Sequence, residues 1–140
     1  MFCGADETNE HLFISCQLAR QIWRLINFTF SITPPTSVNN LFGNWLVGVD
    51  KDTKAYICIG VCAFLWAMWN CRNDVVFNGA RTEQFLQVIH GATHWIQAWS
   101  YLLPADRRGR LDSGCTRLMA VVRAIFNQGG WRHNNRLQDV

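Results

Sequence analysis

The feature that most constrains this chain is a run of fifteen residues without a charge, AYICIGVCAFLWAMW, from Ala55 to Trp69. A segment that apolar must be removed from water, either in a bilayer or inside a protein. A membrane-spanning helix needs about twenty such residues, and shorter runs are the usual core helices of soluble domains. Asp50, Lys51, Asp52 and Lys54 precede the run and Arg72 and Asp74 follow it, so the flanks show no sign bias to orient a span. The favoured expectation is therefore a helix apolar all round, at the centre of a bundle. A small single-span membrane protein using residues 55–69 is the competing one.

The segments on either side have helical period. Leu18, Ile22, Trp23 and Ile26 share one face, and Gln17, Arg20, Gln21 and Arg24 the other. Thr33-Pro34-Pro35-Thr36 breaks the chain, because proline lacks the amide donor and restricts the residue before it. Ser37 can cap a short helix bearing Leu41, Phe42, Trp45 and Leu46. Asp52 or Thr53 can cap the apolar helix, which is expected to end near Arg72-Asn73, before a turn at Phe77-Asn78-Gly79. Thr82 can cap the next helix. There Phe85, Val88, Ile89, Ala92, Ile96, Trp99 and Leu103 recur at spacings of three and four, and Pro104 stops the pattern. A last helix is expected from Asp112 or Ser113 through Leu118, Met119, Val122, Ile125 and Phe126 to Gly129-Gly130. Nothing alternates with period two for long enough to demand a sheet. The expectation is all-α: an irregular bundle of about five helices.

Charge and cysteine usage narrow the function classes. Residues 1–103 hold six Lys/Arg and seven Asp/Glu, whereas residues 104–140 hold seven Arg and three Asp. The basic end can meet nucleic acid or an acidic surface, or be a solvated face. Six cysteines without a signal-peptide pattern suggest thiols in a reducing compartment, nuclear or cytoplasmic, rather than a secreted disulfide scaffold. The sequon at Asn27-Phe28-Thr29 carries no meaning in that setting. At the N-terminus, Cys3, His11 and Cys16 follow the order Cys-x7-His-x4-Cys. Thiolate and imidazole are the usual zinc ligands, and short fixed spacings let one loop wrap the metal. Cys16 would begin a helix, where the dipole favours the thiolate. Three ligands plus water is an arrangement zinc accepts, although it binds more weakly than a full set. Cys58, Cys62, His90 and His94 are the candidates for a fourth ligand.

Together these residues resemble a known family. Cys3-Gly4, Glu7-Thr8, Glu10-His11-Leu12-Phe13 and Cys16, followed by Ala19 and Ile22-Trp23, are similar to the zinc-binding domain downstream of the reverse transcriptase in plant LINE-type retrotransposons. Trp66-Ala67-Met68-Trp69-Asn70-Cys71-Arg72-Asn73-Asp74-Val75-Val76-Phe77 resembles the segment that follows that domain. So do Ala92-Thr93-His94-Trp95-Ile96-Gln97 and Gly130-Trp131-Arg132-His133. The family knuckle is Cys-x2-Cys, about seven residues, His-x4-Cys, and Cys3 matches its second cysteine. Its first would fall one place before Met1, so the resemblance implies a truncated piece of a longer element protein. On that reading residues 1–33 are a partial zinc-binding domain, and residues 34–140 a helical region packed around the 53–72 helix. The resemblance also implies binding of RNA or DNA.

No catalytic constellation is expected. The chain has no Tyr-x-Asp-Asp or Phe-x-Asp-Asp to hold magnesium for polymerisation, no Gly-x-Ser-x-Gly elbow and no phosphate loop. His90 and His94 lie one turn apart without the intervening Glu of a metalloprotease, and read as a polar face. Cys58 and Cys62 read as packed thiols, and Trp66, Trp69, Trp95 and Trp99 as core rather than stacking platforms for bases. Arg107, Arg108 and Arg110 are the candidate phosphate contacts, in an exposed and flexible setting. The expected function is a non-catalytic, retrotransposon-derived module binding nucleic acid. The alternative is a structural helical module for protein contacts, binding neither metal nor nucleic acid.

Overall fold

The computed structural model describes residues 8–79 and 84–129, without the side chains of 78 and 126–129. A single π-helical turn, His11–Ser15, leads into α1 (Gln17–Phe30), followed by α2 (Val38–Phe42), α3 (Lys51–Asn78), α4 (Gln84–Ser100) and α5 (Ala105–Gly129). Among the described residues there is no strand, and the fold is all-α as the periodicity indicates. α3 and α4 pack side by side along their lengths. Gln87 Nε2 donates to Asp74 Oδ2 at 2.7 Å near one end, and Trp66 meets Trp95 edge-on toward the other, so the two helices run antiparallel.

The core is one cluster drawn from α1, α3, α4 and α5. Ile22, Met68, Val88, Ile89 and Leu118 are its largest fully buried apolar side chains. The α4 stripe behaves as the spacing requires, with Phe85, Val88, Ile89, Ala92 and Ile96 all buried. α1 buries Leu18, Ile22, Trp23 and Ile26 as expected, but also Gln21, which the pattern assigns to the polar face. The stripe on α1 is therefore wide enough to be covered from two sides. Thr29 is 1% exposed and its Oγ1 has no hydrogen-bond partner. Thr29→Val keeps the shape and removes the orphaned hydroxyl. It is expected to stabilise the fold by about 1 kcal/mol in urea denaturation, because an unsatisfied buried hydroxyl costs about 1–3 kcal/mol.

Helix ends differ from the expected positions for local reasons. Ser37 caps α2 as anticipated, accepting from the Asn40 N–H at 2.9 Å. α3 is capped by Asp50 rather than Asp52 or Thr53: the Asp50 carboxylate accepts the Thr53 N–H at 2.9 Å. That bond holds its pKa below the usual carboxylate value, so this contribution to stability is present above that value and lost as acid protonates the cap. α3 also runs past Arg72-Asn73 to Asn78. Nothing in between breaks a helix, and Gly79 closes it at φ 64°, where a residue without Cβ is unstrained. α5 starts at Ala105, seven residues before Asp112. Pro104 precedes it, its carbonyl accepting the Arg107 N–H at 2.9 Å, and proline is tolerated at a helix start. Gly109, Ser113 and Gly114 conceal this helix in the sequence, while the buried stripe Leu111, Cys115, Leu118 and Val122 sustains it.

Candidate functional site

Two of the residues singled out for metal binding, His11 and Cys16, flank the π-helical turn. Thr8 Oγ1 accepts the His11 N–H at 3.0 Å, and the Cys16 N–H closes the turn on the His11 carbonyl at 2.7 Å. Cys16 is the N-cap of α1, where the sequence places it, and is 1% exposed. His11 is half-buried and Cys3 lies outside the described residues. The turn is held firmly. Trp23 Nε1 donates to the Phe13 carbonyl at 2.8 Å, and Arg20 Nε to the Ser15 carbonyl at 2.9 Å. Glu10 accepts the Val38 N–H at 2.7 Å from the start of α2. The turn thus has two residues of zinc-ligand type at its ends, His11 half-buried and Cys16 within the core cluster. Among the described residues, no three His, Cys, Asp or Glu side chains group closely enough to hold a metal.

The four candidates for an additional ligand lie elsewhere. Cys58 and Cys62 are exposed on the outer side of α3, and His90 and His94 are exposed on α4. The packed-thiol reading of Cys58 and Cys62 is therefore corrected: the apolar run is too long for its whole circumference to be covered by one layer of neighbours. The cysteine that α3 presents toward Cys16 is Cys71, which is fully buried. Burial pushes its thiol up to about 12, helped by the nearby Asp74 and Cys16. It lies one turn beyond Ala67 and Met68 on the buried side of α3, and the sequence gives no sign that Cys16 packs nearby. His90, His94, Gln97 and Tyr101 are all exposed, consistent with a polar face.

The arginines occupy the first turns of α5 rather than a flexible loop, which corrects the setting read from the sequence. Arg107 makes a 3.5 Å ion pair with Asp52, both side chains about half-exposed or more. Arg108 donates from Nε to the Leu103 carbonyl at 3.2 Å and lies over Tyr101 at 4.8 Å. Arg110 lies over Tyr56 at 4.8 Å and reaches Thr53 Oγ1 at 3.4 Å. Arg107, Arg110 and Arg117 fall at i, i+3 and i+10 and so share one side of α5. The exposed Lys51 and Lys54 at the start of α3 flank this side through the Asp52 and Thr53 contacts. Asp50, Asp52 and Asp106 lie among these cations. A shallow groove of about 480 Å³ lies beside Arg108, lined by His94, Gln97, Tyr101 and Asp112 among others.

Trp66 and Trp69 depart most from their expected place. They are 43% and 39% exposed, and Arg72 stacks over Trp69 at 5.1 Å. α3 from Lys51 to Phe77 is long and apolar enough to cross a membrane by length and composition, and a third of its most apolar window is buried within the fold. Comparisons with known protein families, with curated proteins and with solved structures give no match.

Proposed function

We propose that the chain is a non-catalytic, retrotransposon-derived helical module that binds nucleic acid through phosphate contacts along the start of α5. The observation that supports it best is the placing of Arg110 over Tyr56 and, on the other side of the first turns of α5, of Arg108 over Tyr101. A guanidinium held over a ring by a cation–π contact is restrained in position, and the donors it does not use in the fold can face an incoming phosphate. The half-exposed Arg107–Asp52 pair is worth little in water and can be exchanged for a phosphate. Binding of this kind is indifferent to base sequence. His11 and Cys16, with Cys3, would hold zinc at the N-terminal end of α1, fixing the entry of the chain rather than supplying chemistry.

The test is fluorescence anisotropy with a labelled single-stranded RNA, comparing the parent chain with Arg107→Ala/Arg108→Ala/Arg110→Ala. Losing three phosphate contacts is expected to weaken binding at least tenfold at 50 mM salt and to reduce the salt slope by about 2–3 units. Equal binding by the variant rules out this surface. For zinc, Co(II) added to the reduced protein is expected to give a thiolate charge-transfer band that His11→Ala and Cys16→Ala each diminish.

A further inference from the structure

The outer side of α3 is apolar without being part of the core. Ala55, Cys58, Cys62, Trp66 and Trp69 are all exposed and fall on one side of the helix, opposite the buried Phe64, Ala67, Met68 and Cys71. Val76 and Phe77 continue the same side at 42% and 73% exposure. The order along this face has a symmetry. The spacings from Ala55 to Trp69 are three, four, four and three, so the pattern is the same in either direction from Cys62. Residue size is not symmetric: the small Ala55 and Cys58 lie on one side of Cys62 and the large Trp66 and Trp69 on the other. A surface so arranged fits an antiparallel copy of itself, because the two tryptophans of each helix then lie over the small residues of the other. Parallel pairing would instead set tryptophan against tryptophan and leave a gap beside Ala55.

We propose that this face of α3 is a self-association surface, pairing two chains antiparallel about a two-fold axis at Cys62. The proposal is independent of the nucleic-acid reading, whose arginines lie on α5. The area suits a weak, concentration-dependent pair. With a whole aromatic side chain offering about 150–250 Å², the paired face from Ala55 to Trp69 exposes on the order of 350 Å² per chain. Two copies would thus cover roughly 700 Å², in the range of weak, transient contacts rather than obligate ones. A two-fold pair buries the same patch on both chains, as the symmetric spacing requires. At a helix separation of 8–10 Å, residues facing each other at the axis have Cα atoms about 5 Å apart, within disulfide reach. Cys58 of one chain and Cys58 of the other would be about 12 Å apart along the helices and out of reach. A lipid bilayer is the less suitable occupant, since the opposite side of α3 is committed to α4 and the core.

The experiment uses the full chain under reducing conditions, by sedimentation velocity from about 1 to 100 µM. A monomer–dimer equilibrium with a dissociation constant in the micromolar range is expected. Cys62→Arg, which changes an outward-facing side chain, should weaken it at least tenfold while leaving the circular-dichroism melt in place. Orientation is read separately by copper–phenanthroline oxidation, in which two thiols lose two electrons and two protons to form the interchain disulfide. The crosslinked dimer should form in the parent and in Cys58→Ser, and fail in Cys62→Ser. A chain that is monomeric at 100 µM overturns the proposal. So does a Cys62→Arg chain that dimerises as tightly as the parent, a crosslink retained in Cys62→Ser, or a chain that floats with neutral phosphatidylcholine vesicles instead of dimerising in solution.

Discussion

Trp23→Ala is expected to destabilise the chain by about 3–5 kcal/mol, the usual range for removing a buried aromatic side chain. Trp23 is 3% exposed and lies at a junction of three segments. Its indole donates to the Phe13 carbonyl at 2.8 Å, tying α1 to the π-helical turn. Its ring meets Trp45 edge-on at 5.5 Å, and Trp45 Nε1 in turn donates to the Thr33 carbonyl at 2.7 Å. Alanine leaves a cavity, an unpartnered carbonyl and an unsupported Trp45 together. Trp23→Phe separates these effects. It keeps most of the volume and loses the hydrogen bond, so a loss of about 1–2 kcal/mol is expected. Urea unfolding followed by far-ultraviolet circular dichroism measures both. A Trp23→Ala loss below about 1 kcal/mol would mean that the turn bearing His11 and Cys16 is not anchored through this indole, against the packing described above.

The second large effect is a loss of stability in alkali. Burial raises the Cys71 thiol to about 12, and Asp74 and Cys16 add to it. Burial and Asp112 raise Cys115 to about 11. Both lie above the value of 9.0 for an unperturbed thiol. The folded state therefore binds these protons more tightly than the unfolded state. Their contribution is fully present below pH 9, declines as the pH rises past it, and is spent near the folded values. For Cys71 this is at most about 4 kcal/mol, taking 1.36 kcal/mol per unit. Urea midpoints measured from pH 8 to 11 should fall steadily. Cys71→Ala should flatten the decline, although it lowers stability at pH 8 through the lost side chain. In the native protein at pH 8, dithionitrobenzoate should react with Cys58 well before Cys16, Cys71 and Cys115. Prompt reaction of Cys71 would show that it is not packed as described.

The architecture was largely legible because it depends on period. The α4 stripe from Phe85 to Ile96 and the α1 stripe from Leu18 to Ile26 specify which sides are buried, and both are. Caps and breaks were less legible because several residues compete for each role. Asp50, Asp52 and Thr53 can all cap a helix, and only the geometry at Asp50 selects one. α5 escaped detection over its first two turns because Gly109 and its arginines have no apolar repeat until Leu111. Exposure within α3 could not be read at all. Its run from Ala55 to Trp69 is apolar on every side, so period contains no information about which side meets α4. The pairing of Gly91 with Ala67, whose Cβ lies 3.4 Å from where a Cβ on Gly91 would be, is a consequence of tertiary packing alone. Of the candidate site, the positions of Cys16 and the α5 arginines in the chain were readable. Of their surroundings, Cys71 and Tyr56 come from an element distant in sequence, whereas Tyr101 precedes Arg108 by only seven residues.

The salt dependence of RNA binding tests the central claim most directly. If Arg107, Arg108 and Arg110, with Lys51 and Lys54 beside them, displace counterions from phosphates, then log K against log salt concentration is linear with a slope of about −2 to −4 for a single strand. Binding should also be equal for strands of different base sequence. A slope near zero, or no binding at 50 mM salt, would contradict the account.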